Sequence, residues 1–153
     1  MAIEAPISKF KKNNVLIYIV ICIIFAAWFA YDGYLNNEFI QEHTMENGKA
    51  DGTLIFNQKS PPFFLIGAVL LGIYFYRIKD RKLLAEKKEL VFSSGKKIPY
   101  DSIEKINKTW FEKKGYFVIT YKNKDGKEIN HKISDRTYDG LKNILNHLVE
   151  KIS

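Results

Sequence analysis

Two uncharged apolar runs, Val15–Tyr31 and Phe63–Tyr76, stand in a chain that is otherwise rich in lysine. The first covers 17 residues, VLIYIVICIIFAAWFAY, with no polar face at helical spacing. At about 1.5 Å per residue it spans roughly 25 Å, close to a hydrocarbon core of about 30 Å. Trp28, Tyr31 and Tyr34 gather at its C-terminal end, where aromatic rings favour the headgroup zone. An apolar surface on every side predicts a membrane span rather than a soluble core helix. The run is also longer than a signal-peptide core, and no small-residue cleavage site follows it. The second run has 14 residues, a length shared by spans and buried helices. Pro62 suits its first turn, and Arg77 can snorkel so that Ile78 adds apolar length. The small pairs Ala26/Ala30 and Ala68/Gly72 permit close helix approach.

After Glu89 the period of the pattern changes from helical to two. Leu90 and Phe92 alternate around Val91, and Ile98 and Tyr100 follow the Ser93-Ser94-Gly95 turn. A strand is expected around Ile106–Phe111, then a hairpin loop over Glu112–Gly115. Tyr116–Tyr121 is β-branched and aromatic throughout. Asp125-Gly126 makes a hairpin turn, after which Ile129, His131 and Ile133 share one face. Five strands in a meander are predicted. Tyr138, Leu141, Ile144, Leu145, Leu148, Val149 and Ile152 then form one apolar stripe, predicting a helix over Thr137–Ile152 capped by Ser134 or Asp135. The fold class is therefore α+β: a two-helix transmembrane hairpin, a small antiparallel β-meander or partial barrel, and a C-terminal amphipathic helix. The expected segments are a tail at 1–14, spans at 15–35 and 62–78, an outer loop at 36–61, a basic juxtamembrane helix at 79–88 and a soluble domain at 89–153.

Charge orients the hairpin. Lys9, Lys11 and Lys12 precede the first run, and Arg77, Lys79, Arg81, Lys82, Lys87 and Lys88 follow the second. The intervening segment carries Lys49 and Lys59 against Asp32, Glu38, Glu42, Glu46 and Asp51. The positive-inside rule places both termini in the cytoplasm. From Arg77 onward there are 19 Lys/Arg and 11 Asp/Glu, a net +8. A basic domain beside an anionic leaflet is drawn to it, so Arg77, Lys79, Arg81, Lys82, Lys87, Lys88, Lys96 and Lys97 are the candidate headgroup contacts. Nucleic acid is the competing partner for such charge, but no RNA or DNA motif accompanies it.

No catalytic constellation is present: no phosphate-binding glycine loop, nucleophile elbow or H-E-x-x-H. His43 among Glu42, Glu46 and Asp51 reads as a solvated acidic loop rather than a metal site, and His131 and His147 read as structural or surface residues rather than catalytic ones. Asn107-Lys108-Thr109 is a glycosylation sequon that a cytoplasmic domain would not use. Cys22 has no partner for an intrachain disulfide. No cofactor is expected.

The order of two spans, strand meander and closing helix resembles small bacterial membrane proteins with a cytoplasmic pleckstrin-homology-like domain. The residues that carry the resemblance are Glu89–Ile106, ELVFSSGKKIPYDSIEKI, with Ile98-Pro99-Tyr100, Ile103 and Ile106 spaced as in that family's opening segment. The resemblance covers roughly residues 83–153. It implies the bacterial inner membrane, with a seven-stranded fold where five strands are legible. Lys96 and Lys97 fall in the loop that contacts phosphoinositides in eukaryotic members of the wider fold. The function this suggests is a non-enzymatic membrane-anchored scaffold or accessory subunit, with a protein partner in a membrane complex. The alternative is a tethered domain that senses anionic lipid.

Overall fold

The computed structural model describes residues 2–152. The chain forms two compact units, one built from residues up to Lys12 and from Arg77 onward, the other from Asn13–Tyr76. In chain order the elements are β1 (Ile3–Pro6), α1 (Lys9–Tyr34), α2 (Asn37–Glu42), α3 (Gly52–Lys59), α4 (Pro61–Ile78), β2 (Lys82–Ala85), β3 (Glu89–Phe92), β4 (Lys97–Pro99), β5 (Ile103–Asn107), α5 (Phe111–Lys114), β6 (Tyr116–Lys122), β7 (Glu128–Ser134) and α6 (Leu141–Ile152). The molecule is α+β, with two long apolar helical segments and two antiparallel sheets.

The first sheet has the order β1-β2-β3-β4, the second β5-β6-β7. The predicted 1–14 tail is thus corrected: its Ile3–Pro6 segment is a strand paired with β2, in register from Ile3↔Ala85 to Pro6↔Lys82. The expected helix at 79–88 is also corrected. Residues 82–85 form β2, although Lys-Leu-Leu-Ala favours helix by intrinsic propensity. Burial decides the matter, since Leu83 and Ala85 alternate with half-exposed neighbours and are themselves fully buried. Strands β3, β4 and β7 fall where the alternation predicted them, and β6 where the β-branched and aromatic run did. The strand expected through Phe111 stops at Asn107, and a single turn of helix, α5, replaces much of the 112–115 loop. Gly115 ends that turn at φ +66°, a conformation that favours glycine.

One core serves both sheets. Leu83, Leu90 and Ile98 come from the first, Phe117, Ile119 and Ile133 from the second, and Leu141, Ile144, Leu145 and Leu148 from α6. Tyr100 lines the same core and donates its hydroxyl to the Glu86 carbonyl at 2.7 Å. Burial, with Glu86 and Glu89 nearby, pushes that hydroxyl up to about 12, so it remains a donor through neutral pH. Helix α6 starts four residues later than the stripe predicted. Tyr138 instead bridges Ile7, and the Asp139 amide donates to the Pro6 carbonyl at 2.9 Å, so these residues hold the end of β1 before Gly140 (φ +75°) opens the helix.

The second unit is a helical hairpin. Helix α1 is 26 residues, about 39 Å at helical rise. The helical segment Gly52–Ile78 is the other stretch long and apolar enough to cross a membrane. The loop expected over 36–61 is shorter than predicted, because α3 occupies its last third. Asp51 caps α3 by accepting from the Leu54 amide at 2.8 Å. Ser60 remains helical, and Pro61 and Pro62 follow without N–H groups to leave unpaired. Gly33 meets α3 so closely that a Cβ there would lie 2.9 Å from the Asn57 carbonyl carbon. Tyr34 donates to the Gln58 carbonyl at 2.8 Å, and Gln58 donates back to Gly33 at 3.0 Å. Phe25, Phe29, Phe56 and Phe64 make ring contacts at 5.4–5.9 Å. The outer faces stay apolar and exposed, with Trp28, Phe63, Val69 and Leu70 each at least 59% accessible. Such a surface calls for an apolar solvent or partner.

Candidate functional site

The eight basic residues singled out by sequence do not form one patch. Strand β2 separates Arg77, Lys79, Arg81 and Lys82 at one end of the first sheet from Lys87 and Lys88 at the other, while Lys96 and Lys97 belong to the β3–β4 turn, whose register places it at the Lys82 end. At the end from which the chain leaves into α1 and returns from α4 lie Arg77, Lys79, Arg81 and Lys82. Arg77 occupies the last turn of α4. Lys79 is 3.9 Å from Asp80, and Lys82 is bound to Glu4 at 2.8 Å. The Arg81 carbonyl accepts from the Ile7 amide at 2.9 Å. Burial raises the Tyr138 hydroxyl above its usual range, and the Arg81 charge partly offsets this.

Lys9, Lys11 and Lys12, read above only for topology, begin α1 at the same end. Ser8 ties them to the loop between β7 and α6. It is fully buried, its amide donates to Thr137 at 2.9 Å, and its hydroxyl donates to the Arg136 carbonyl at 2.6 Å. The same oxygen accepts from the Lys11 amide at 3.1 Å, and Asp139 accepts from the Lys9 amide at 3.0 Å. Arg136 reaches over the Phe10 ring, 5.9 Å from its centroid. Three chain segments far apart in sequence therefore make one basic collar. It contains seven Lys/Arg (Lys9, Lys11, Lys12, Arg77, Lys79, Arg81, Arg136) against Asp80, Asp135 and Asp139. Sequence reasoning missed Arg136 because nothing local marks it; only the Ser8 contacts bring it here.

Lys87 and Lys88 stand at the opposite end, in the β2–β3 turn. Four residues of strand separate the ends, roughly 10 Å or more, which exceeds a Debye length of about 8 Å at physiological salt. They line a cleft of about 510 Å³ with Glu89, Pro99, Tyr100, Asp101 and Lys151. Lys97 is bound to Glu89 at 2.8 Å, which raises its pKa. The Lys97 side chain is exposed and Glu89 half-buried, so solvent screens the pair and it adds little stability. A second groove, about 470 Å³, lies between α5 and α6 and is lined by Phe111, Leu145 and Val149 with Lys108, Lys142 and Glu150.

Lys96 turns inward rather than outward. Its ammonium lies 5.1 Å from the Tyr121 ring centroid, 5.9 Å from that of Phe92, and 3.3 Å from His131 Nδ1. His131 in turn meets Phe92 edge-on at 5.1 Å. Burial, and then the Lys96 charge, push the His131 imidazole below its ordinary 6.5. Its folded pKa is thus lower than its unfolded one, so the unfolded chain binds the extra proton more readily. Stability supplied by neutral His131 is complete above about pH 6.5 and declines as pH falls below it. We expect urea midpoints of the full chain to drop between neutral pH and pH 5, and His131→Phe to flatten that drop. An identical pH dependence in the variant would refute the assignment.

In the segment between α2 and α3, His43 Nδ1 is 2.8 Å from Asp51 Oδ2, and its ring packs on Phe39 at 4.3 Å. Among the described residues no group of three or more His, Cys, Asp or Glu is placed to hold a metal ion. Comparisons with protein-family models, with curated proteins and with solved structures find no match to this chain.

Proposed function

We propose that this chain is a non-enzymatic scaffold or accessory subunit of a membrane assembly, which presents a pleckstrin-homology-like domain at the cytoplasmic face of a bacterial inner membrane. The observation that carries the reading is the pairing of β1 with β2 across the hairpin. Residues before the first apolar helix and after the second belong to one folded core, with Ala5 and Leu83 both fully buried in it. If α1 crosses a bilayer, Gly52–Ile78 must cross back, because a folded domain does not thread through hydrocarbon. The basic residues that flank both helices then argue for the cytoplasmic side. Among the described residues, seven strands in sheets of four and three, with α6 supplying four core residues, support the pleckstrin-homology-like reading of the domain. The α5–α6 groove, with its apolar floor and charged rim, is the surface best suited to a protein partner.

Topology tests this directly. In a Cys22→Ala background, Asn47→Cys in the outer loop should react with an impermeant maleimide on intact spheroplasts. Lys124→Cys in the β6–β7 turn should react only after lysis. Labelling of Lys124→Cys on intact spheroplasts would overturn the orientation. A pull-down from detergent extract that returned this chain alone at full yield would count against the scaffold role. Anionic lipid is the second reading, favoured by the basic collar.

A further inference from the structure

We propose that the collar around Ser8 is a binding site for the phosphodiester headgroups of anionic phospholipids, with Arg136 as its domain-borne member. This rests on the reading that α1 and Gly52–Ile78 cross the membrane. Ordinary topogenic charge lies next to spans in the sequence; Arg136 does not. It is brought to the start of α1 by a buried serine that accepts and donates at once, between the Lys11 amide and the Arg136 carbonyl. That arrangement fixes the backbone of the β7–α6 loop against the first turn of a membrane helix. Phe10, 54% exposed beneath the Arg136 guanidinium, adds an aromatic ring at the same level, as suits an interfacial zone. Guanidinium groups form paired hydrogen bonds to phosphate oxygens. Arg136 brings one to the start of α1, where the backbone also meets the segment that carries Arg77, Lys79 and Arg81. The acidic groups at the collar, Asp80, Asp135 and Asp139, are outnumbered, and Asp139 is already engaged by the Lys9 amide. Lipid contact would therefore hold the domain through β7–α6 as well as through its two helices.

The test uses the full chain in a neutral detergent, titrated with short-chain phosphatidylglycerol and read by native mass spectrometry. Arg136→Gln combined with Lys79→Gln should weaken binding about tenfold, and Arg136→Lys, which keeps the charge but loses the paired donors, should restore only part of it. Lys87→Gln/Lys88→Gln, at the far end of the sheet, should change it by less than about twofold. Inorganic phosphate in excess should not displace the lipid. Unchanged affinity in the collar variant would overturn the proposal, as would an equal loss in the far-end variant or full displacement by phosphate. If the double variant loses its fold by circular dichroism, Arg77→Gln/Lys79→Gln, on exposed or helix-end positions, carries the same expectation. Alkaline carbonate extraction separates the two levels. Release of the native chain from membranes would overturn the anchor itself, whereas retention with unchanged lipid affinity would overturn only the collar.

Discussion

Ala5→Asp should unfold the basic domain while leaving the protein in the membrane. Ala5 has no accessible surface and faces the shared core from a strand that precedes the hairpin. A carboxylate there has no cation within the core to pair with, and an uncompensated buried charge costs several kcal/mol. Domain stabilities are of order 5–15 kcal/mol, so a change of this size removes most of the margin. Limited proteolysis of membranes should then cut the chain after residue 82, where the native chain resists, while carbonate extraction still leaves the hairpin fragment in the pellet. Native-like protease resistance in the variant would show that β1 is dispensable. A fragment starting at Arg77 should fail for the same reason, because β2 would lose the partner that pairs its whole length.

Phe117→Ala is expected to cost about 3–5 kcal/mol, among the largest single-residue effects available without adding a charge. Phe117 is fully buried in β6, pairs with Ile133 across the strand and meets Phe111 edge-on at 5.9 Å. Removing the ring leaves a cavity where the second sheet, α5 and the α6 side of the core come together. The urea midpoint of the domain, followed by circular dichroism, should fall accordingly. Val118→Ala one residue on has no comparable void to create: Val118 is only half-buried, and its cost should stay near 1 kcal/mol. Equal losses at the two positions would contradict the strand's assigned face.

These two expectations also show where local sequence is a good guide and where it is not. The faces of β3 and β7 follow from alternation, because a strand with one buried side has a period of two, whereas β6 is legible only by its β-branched and aromatic composition. The apolar stripe of α6 is equally plain, and its Leu141, Ile144, Leu145 and Leu148 are the residues the core takes. Residues 82–85 mislead because four residues are too few to separate periods, and their composition favours helix. Ile3–Pro6 is silent for a different reason. A strand's pairing is a property of two segments, and here 75 residues of hairpin separate Pro6 from its partner Lys82. The loop holding Arg136 likewise has no signal of its own; its place depends on Ser8 contacts to residues 128 positions away.

By itself, the sequence determined the apolar helices, the sign of charge at each of their ends, and the strands and helix whose one-sided burial leaves a periodic trace. These are local properties, set by which solvent each side chain prefers. Tertiary structure decided what crosses the hairpin: the first strand joins the sheet after it, and one cluster of basic residues becomes a collar at one end and a cleft at the other. Long-range pairing leaves no period in either partner, so only the folded core, in which Ala5 and Leu83 both lose their solvent, specifies it.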